Sequence, residues 1–194
     1  MQHFALYFTL KVRGQERGTA MDAKANLLVR RACSNDAEAF GELYERYSKD
    51  LYRFACYVLG SQQLAQDAVQ DAVCAAFIQI SSLRKEEAFK AWLFKILSNI
   101  CNKYISEKSR QRNTVPLDAE LEETLEAPPS TLNATFEMEE IFSCLANDER
   151  EIVILSVLQG YNSSEISTIL DCPAGTVRSK LSRALKRMRA ELEK

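Results

Sequence analysis

The stretch that decides the fold is residues 173–184, which read Pro-Ala-Gly-Thr-Val-Arg-Ser-Lys-Leu-Ser-Arg-Ala. A short helical pattern at 163–170 comes before it, and residues 171–174 interrupt that pattern because Pro173 cannot continue a helix. A second helix is predicted over 175–193. Two helices joined by so short a turn predict a helix-turn-helix, the unit that lays its second helix in the major groove of DNA.

The second helix has two different faces. Its apolar side recurs at helical spacing and comprises Val177, Leu181, Ala184, Leu185, Met188 and Leu192. The opposite side carries Thr176, Ser179, Lys180, Arg183, Lys186 and Arg187. Lysine and arginine suit phosphate contacts, and the first turns suit contacts to base edges. An ordinary amphipathic helix with a solvated basic face gives the same pattern, but the turn and the Gly-Thr start favour DNA binding.

The rest of the chain is also helical by pattern, and only 6 glycines and 4 prolines occur in 194 residues, too few turn signals for an all-β fold. Further helices are predicted over 23–32, 37–59, 62–81, 87–109, 135–145 and 148–159. Residues 113–134 hold three of the prolines and lack apolar periodicity, which predicts a flexible acidic linker. The prediction is therefore all-α, with small helical domains at 23–112 and 135–194.

Charge is distributed unevenly along the chain. The net charge is −2, which alone argues against a uniformly basic nucleic-acid binder. Residues 113–149 contain ten acids and no Lys or Arg, whereas 175–194 have a net charge of +5 and 103–112 a net charge of +3. An acidic middle therefore masks two basic segments, an asymmetry that indicates charged partners.

Catalytic and metal-binding signatures are missing from the sequence. None of the six cysteines forms a C-x-x-C pair, and the single histidine, His3, is far from all of them. No zinc site, cofactor site, phosphate-binding glycine loop or nucleophile–base pair is predicted, so an enzyme is not expected. There is no span of eighteen apolar residues and no export signal. The thiols are expected to be reduced in the cytoplasm, most of them in the core.

The C-terminal motifs resemble region 4 of the sigma-70 family, and most closely that of its small extracytoplasmic-function (ECF) group. The resemblance rests on 145–150, 165–166 and 173–184, with Ala146 standing where the family usually has proline. It implies that this helix reads the −35 promoter element and that the domain docks on the β flap of RNA polymerase. The residues implied at the −35 element are Ser164, Glu165, Pro173, Gly175, Thr176, Arg178, Ser179, Lys180, Arg183 and Arg187.

The first half independently resembles region 2 of the same family. The segment 65–73 is similar to the family's helix for the β′ clamp helices, which implies that Asp67, Gln70 and Asp71 bind core polymerase. A helical wheel sets these three opposite an apolar face made of Ala65, Val69, Ala72, Val73, Ala76, Phe77 and Ile80. A polar face that is merely solvated would give the same pattern on a helical wheel, so only the family resemblance assigns polymerase binding to these three residues.

The segment 89–96, followed by Asn99, resembles the family's promoter-melting segment. The resemblance implies a pocket for a flipped −10 base in the loop 82–89, and extracting a base needs such a pocket. The implied −10 residues are Arg84, Phe89, Trp92, Lys95, Asn99, Asn102, Lys103, Lys108, Arg110 and Arg112. For most of the aromatic residues Phe89, Trp92 and Phe94, a place in the core is favoured by sequence. Lys103 departs from the Asp or Asn that the family often has.

The resemblance implies an alternative sigma factor that binds bacterial core RNA polymerase through the β′ clamp helices and β flap, recognises −10 and −35 promoter DNA, and helps to melt the −10 region. It also implies an anti-sigma factor, usually membrane-anchored in this group, and no small-molecule substrate. The acidic linker is expected either in the RNA path of the polymerase or as a solvated tether. Alternatives are a self-sufficient helix-turn-helix regulator and a sigma mimic that never touches DNA. Residues 1–22 are an N-terminal tail. Because Met21 stands where members of the resembling family typically begin, residues 1–20 are either not part of the native protein or a tail that is atypical of the family.

Overall fold

A computed structural model describes residues 23–114 and 141–192, with side chains described for 23–110 and 141–191. Regular structure in these two ranges is helical, and they contain no strand, which confirms the all-α prediction. The helices are α1 (Ala23–Cys33), α2 (Ala37–Leu59), α3 (Gln62–Gln79), α4 (Phe89–Thr114), α5 (Asn147–Val153), α6 (Ser163–Leu170) and α7 (Ala174–Leu192). The N-terminal tail, most of the predicted linker and most of the predicted helix 135–145 lie outside the described residues.

The first domain is built around α2, which contacts α1, α3 and α4. Its apolar residues recur every three or four positions, so Leu43, Leu51 and Phe54 point to one side and are fully buried. Asp36 begins the helix by accepting a hydrogen bond from the Ala39 amide at 3.0 Å. This central helix holds α3 and α4 side by side.

Helices α3 and α4 have boundaries that differ from the predictions. Helix α3 ends at Gln79, and a 3₁₀ turn at Ile80–Ser82 takes the place of its last predicted residues. Helix α4 runs to Thr114, past the predicted start of the linker at Asn113. The first residue that opposes a helix is Pro116, which disfavours helical geometry at the residue before it, so the polar residues up to Thr114 remain helical.

The second domain comprises α5, α6 and α7. The predicted helix 148–159 is helical as predicted, but it changes at Ile154–Leu158 to a π-helical turn. The chain then reverses at Gly160, where φ is 76°, and the Tyr161 amide bonds back to the Leu155 carbonyl at 3.0 Å. Glycine suits this left-handed position. The reversal carries Tyr161 into the core, where it is fully buried.

The two domains pack directly against each other, which the sequence did not predict. Helix α4 of the first domain contacts α6 of the second, and α2 contacts α5. The ring of Phe94 lies 5.8 Å from that of Tyr161, and Tyr57 lies 5.7 Å from Phe142, both edge to face. One hydrophobic core therefore runs through both domains. None of the helices in the described ranges has the length and hydrophobicity needed to cross a membrane.

Candidate functional site

The predicted helix-turn-helix is formed by α6, a turn and α7. Asn162 caps α6, since its side-chain oxygen accepts from the amides of Ser164 at 2.9 Å and Glu165 at 3.0 Å. Asp171 ends α6 in the left-handed conformation, with φ at 53°. The Val177 amide then donates to the Pro173 carbonyl at 3.1 Å and begins α7. The turn is short, so the position of α6 determines the position and direction of α7.

Glu165 has a structural role that its place among the implied −35 residues did not predict. Its carboxylate accepts a hydrogen bond from the Asn162 amide at 2.7 Å, which completes a capping box at the start of α6. One carboxylate oxygen of Glu165 is engaged in this cap, and its contact with DNA stays a prediction. Ser164 is exposed beside it.

Helix α7 has the two faces that the sequence predicted. Val177, Ala184 and Met188 are buried against the domain. The other face is open to solvent, and the exposed or half-exposed residues predicted at the −35 element there are Pro173, Gly175, Thr176, Arg178, Ser179, Lys180, Arg183 and Arg187. Lys186 is exposed next to them. The residues of α7 that are predicted to contact DNA are therefore accessible.

Two cations of this surface are paired with acids of α5, which sequence reasoning missed. Lys180 forms an ion pair with Asp148, and Arg187 forms one with Glu149. The hydrogen bond from Lys180 holds the pKa of Asp148 below its usual range. Arg178 and Lys186 have no ion pair among the described residues, and Arg183 bonds only to the Ser179 carbonyl of its own helix. The sequence signal that could have predicted these ion pairs is the pair of acids, Asp148 and Glu149, in the first turn of α5.

Glu149 also explains the departure at Ala146. Its second carboxylate oxygen accepts a hydrogen bond from the Ala146 amide at 3.2 Å and caps the start of α5. Proline, which the resembling family usually has here, carries no amide hydrogen and could not make this bond. Glu149, only 8% exposed, therefore joins the start of α5 to Arg187 on α7.

The residues implied for polymerase binding lie together on α3. Asp67, Gln70 and Asp71 are all exposed. The Tyr104 hydroxyl on α4 donates a 2.8 Å hydrogen bond to Asp71, and this bond raises the pKa of Tyr104 to about 12. A groove between α2 and α3 adjoins the acids, and its lining includes Tyr44, Lys49, Tyr52, Gln66, Val73 and Cys74. The groove is partly apolar and includes Gln70 of this face, and such a groove suits an incoming helix.

Phe77 does not lie in the core as the helical wheel predicted. It is 46% exposed and makes an edge-to-face contact with Phe40, with ring centroids 5.1 Å apart. The next residue, Ile78, is 78% exposed. A helical wheel gives the direction of a side chain from its own helix, but it does not show how far the neighbouring helices extend. The described helices next to α3 leave Phe77 and Ile78 uncovered. An apolar patch therefore continues from the acidic face.

The implied −10 residues fall into two groups. Asn99, Asn102, Lys103, Lys108 and Arg110 are exposed along α4, and Arg84 is exposed in the loop before it. Lys95 and Trp92 are half-buried, and the side chain of Arg112 lies outside the described residues. Lys103 pairs with Glu107 at 3.9 Å. The basic track thus follows one helix, as predicted.

Phe89 belongs to the core and not to the accessible −10 surface. It is 1% exposed and packs between Tyr47, 5.9 Å away, and Trp92, 6.0 Å away. Its place among the implied DNA contacts is therefore corrected to a supporting role. Burial follows because Phe89 opens α4 directly over α2, where the 3₁₀ turn Glu86–Ala88 closes the loop.

The cysteines have mixed environments, and all six are free. Cys56 and Cys101 are buried, Cys74 is exposed, and the other three are half-buried. Burial raises the pKa of the Cys101 thiol. Within the described ranges no three His, Cys, Asp or Glu side chains come together as a possible metal site.

Family models match both halves of the chain. Residues 43–111 match Sigma-70 region 2, and residues 135–188 match Sigma-70, region 4. The ECF RNA polymerase sigma-E factor of Escherichia coli (strain K12) is 31% identical over 170 residues, covering 81% of this chain and 88% of that protein. The protein of the same name from Haemophilus influenzae is 30% identical over 169 residues, with 81% and 89% covered.

Solved structures share the fold. The sigma factor RpoE of Bartonella quintana, solved with the anti-sigma factor NepR, has a TM-score of 0.68 and 26% identity, covering 79% of this chain and 96% of that one. CnrH, solved with the cytosolic domain of CnrY, has a TM-score of 0.69 and 21% identity, covering 88% of this chain and 97% of that one. Both domains of this chain therefore have counterparts of known structure.

Proposed function

The chain belongs to the sigma-70 family, as a sigma factor of the ECF group, and on that premise we propose which of its surfaces perform each step of promoter recognition. It is an alternative sigma factor that directs promoter-specific initiation of transcription by RNA polymerase. In this proposal it recognises the −10 and −35 elements and helps to melt the −10 region. Nucleotide chemistry belongs to the polymerase, and the chain works beside it in the cytoplasm.

Core polymerase binds the acidic face of α3, formed by Asp67, Gln70 and Asp71. The observation that carries this proposal is that all three are exposed on one helix, next to a groove and an exposed phenylalanine. Such a surface offers charge for orientation and apolar area for affinity. The β′ clamp helices are the expected partner on this face, and the β flap is the expected partner of the second domain.

Helix α7 reads the −35 element, and its N-terminal turns contact the bases. In this proposal Thr176, Arg178 and Ser179 contact base edges, while Arg183, Lys186 and Arg187 contact phosphates. The exposed face of α7 and the buried opposite face support this arrangement. Since the polymerase supplies much of the phosphate contact in a complex, the isolated chain should bind promoter duplex weakly and with strong salt dependence.

The −10 element is read by α4 and the loop before it. Asn99 and Lys103 are exposed on α4, and Trp92 is half-buried at its start, next to the loop that holds Arg84. An aromatic residue with neighbouring amides and cations suits capture of an unpaired strand. Phe89 supports Trp92 from beneath.

We also infer that an anti-sigma factor binds this chain. The related RpoE was solved with its anti-sigma factor NepR. In this chain the exposed Phe77 and Ile78 beside the acidic face provide apolar area that a competing partner can cover. Purification of the chain from unstressed cells of its host should recover such a partner, and recovery of the chain alone would contradict the inference.

Run-off transcription with purified bacterial core polymerase tests the function. The template is the chain's own upstream region, and the variant is Asp67→Ala/Gln70→Ala/Asp71→Lys. Because Asp71 accepts from Tyr104, the variant's fold is checked by circular dichroism. The control is Glu38→Ala/Glu42→Ala, which removes two exposed carboxylates from α2.

The expected result is a transcript that requires the wild-type chain, survives in the control and disappears with the triple variant. Core binding by the triple variant at wild-type affinity would overturn the assignment of the acidic face. Failure of the wild-type chain to bind core polymerase would overturn the sigma function in favour of a self-sufficient DNA-binding protein or a sigma mimic. Tight specific DNA binding by the free chain at physiological salt would favour the former.

A further inference from the structure

The contact between the two domains uses one face of α4. Lys90, Phe94, Ser98 and Asn102 follow each other at four-residue spacing, so they line one side of the helix. Phe94 packs on Tyr161, and the Lys90 ammonium lies 5.3 Å from the centre of the same tyrosine ring. The Ser98 hydroxyl donates a hydrogen bond to Glu151 Oε2 at 2.9 Å. The second domain therefore covers the side of the promoter-reading helix that carries Phe94 and Ser98.

Glu151 is an unusual residue for the centre of such a contact. It is 2% exposed, and its Oε1 is buried without a hydrogen-bond partner among the described residues. The groups that bear on it are Ser98 and Asn102 on α4, which favour its ionised form, and Asp148 on α5, which disfavours it. The Cys101 thiol on α4 also lies close. Burial outweighs the hydrogen bonds and raises the pKa of Glu151 to about 7.

The packed arrangement conflicts with simultaneous promoter reading, an argument that rests on the proposed function. Positions −35 and −10 of a promoter are about 25 base pairs apart, and this separation corresponds to about 80 Å along the DNA axis at 34 Å per helical turn. Helix α4 contacts α6, α6 contacts α7, and helices in contact have axes only about 10 Å apart. The 26 residues between Thr114 and Ile141 can span about 90 Å when extended, so the chain is long enough for the domains to separate. The contact must therefore open before both elements are read.

We propose that Glu151 makes the contact between α4 and the second domain a pH-sensitive latch, and that its protonation favours the closed form of this sigma factor over the open form that promoter reading requires. Burial takes the side chain out of water, and this costs a neutral carboxylic acid much less free energy than it costs a carboxylate. Separation of the domains exposes Glu151 to water, where the ionised form is stable. Acid therefore favours the closed form, and neutral to alkaline conditions favour the open form.

The sign and size of the pH effect follow from linkage. The pKa of Glu151 is raised from 4.5 when open to about 7 when closed, so the stabilisation is greatest below about pH 4.5 and is lost as the pH rises to about 7. Between pH 6 and pH 8 the ratio of closed to open molecules should fall about tenfold. Above that range the ratio should be nearly constant.

Single-molecule energy transfer in the full chain tests the latch without polymerase. Dyes are attached through unnatural amino acids at the exposed positions Lys24 and Arg189, which leaves the six cysteines unchanged. Glu151→Gln imitates the neutral acid, and the matched control Glu45→Gln makes the same change at an exposed site on α2. Ser98→Glu places a second carboxylate beside Glu151 and should open the contact above neutral pH.

Wild type and Glu45→Gln should show the tenfold fall, Glu151→Gln should stay closed at every pH, and Ser98→Glu should be mostly open at pH 8. A wild-type ratio that does not change with pH, or a chain that is open at pH 6, would overturn the latch. Run-off transcription separates this proposal from the function. Transcription without any closed population refutes the latch alone, whereas pH-dependent closure without core binding refutes the sigma function alone.

Discussion

The hydroxyl of Tyr104 donates a 2.8 Å hydrogen bond to the carboxylate of Asp71, and this bond joins α4 to α3. Asp71 belongs to the face proposed for core polymerase, and Tyr104 to the helix proposed for −10 DNA. The acid is thus held in one orientation by the helix that is proposed to contact the promoter. A hydrogen bond to an ionised group is among the stronger polar contacts in proteins.

Tyr104→Phe should weaken core binding modestly, because Asp71 loses its fixed orientation but keeps its charge. We expect an affinity loss of up to about tenfold, the equivalent of one hydrogen bond. Binding of core polymerase by fluorescence anisotropy measures it. Asp71→Asn is the companion variant, since its amide oxygen still accepts from Tyr104 while the charge is gone. Unchanged affinity in Tyr104→Phe would show that the bond only supports the fold.

Asp148→Ala should strengthen binding of the full chain to duplex DNA carrying its −35 element. The substitution removes a negative charge beside the DNA face and releases Lys180 for phosphate contact. One additional phosphate contact steepens the dependence of log affinity on log salt by about one. A titration of binding at several salt concentrations checks this. The idea fails if the variant and the wild type have the same slope.

Glu149→Ala should lower the stability of the second domain more than Asp148→Ala. Glu149 is nearly buried, and it both caps α5 and pairs with Arg187, so its loss should cost about 2–3 kcal/mol. Asp148 is exposed, and its ion pair should contribute less than about 1 kcal/mol. Urea unfolding monitored by circular dichroism compares them. Equal losses in the two variants would contradict the bridging role of Glu149.

Phe89→Ala should destabilise the first domain by about 3–5 kcal/mol, the usual cost of emptying a buried phenylalanine site. Phe77→Ala should cost less than about 1.5 kcal/mol, because it loses one exposed ring contact. The main effect of Phe77→Ala should be weaker binding to core polymerase. Thermal unfolding and core affinity, measured on both variants, separate the two roles. A stable Phe89→Ala chain with lost −10 binding would restore Phe89 as a DNA contact.

Ser98→Ala should shift the pH dependence of domain closure upward. The Ser98 hydroxyl favours the ionised form of Glu151, so its removal raises the pKa of Glu151 further. Stability gained by protonation is then lost at a higher pH, and the midpoint of opening moves in the same direction. The energy-transfer assay measures the midpoint. A midpoint that moves down would contradict the assigned direction of the hydrogen bond.

Local pattern predicted much of this molecule. Apolar spacing and capping residues placed α1, α2 and α6 within about a residue of their observed ends, since those signals act within one helical turn. The short turn around Pro173 and the two faces of α7 followed in the same way. The residues proposed for polymerase and DNA contact came from a family resemblance, and most of them are exposed where that proposal needs them.

The sequence by itself determined the all-helical class, the helix-turn-helix and the acidic and basic segments, because these depend on residues that are neighbours along the chain. Only the tertiary structure decided that Phe77 is exposed, that Glu149 pairs with Arg187, and that Glu151 is buried against Ser98. Each of these depends on which side chain of a distant helix faces the residue. Periodicity gives the direction of a side chain from its own helix, but the packing of α4 against the second domain decides what it meets.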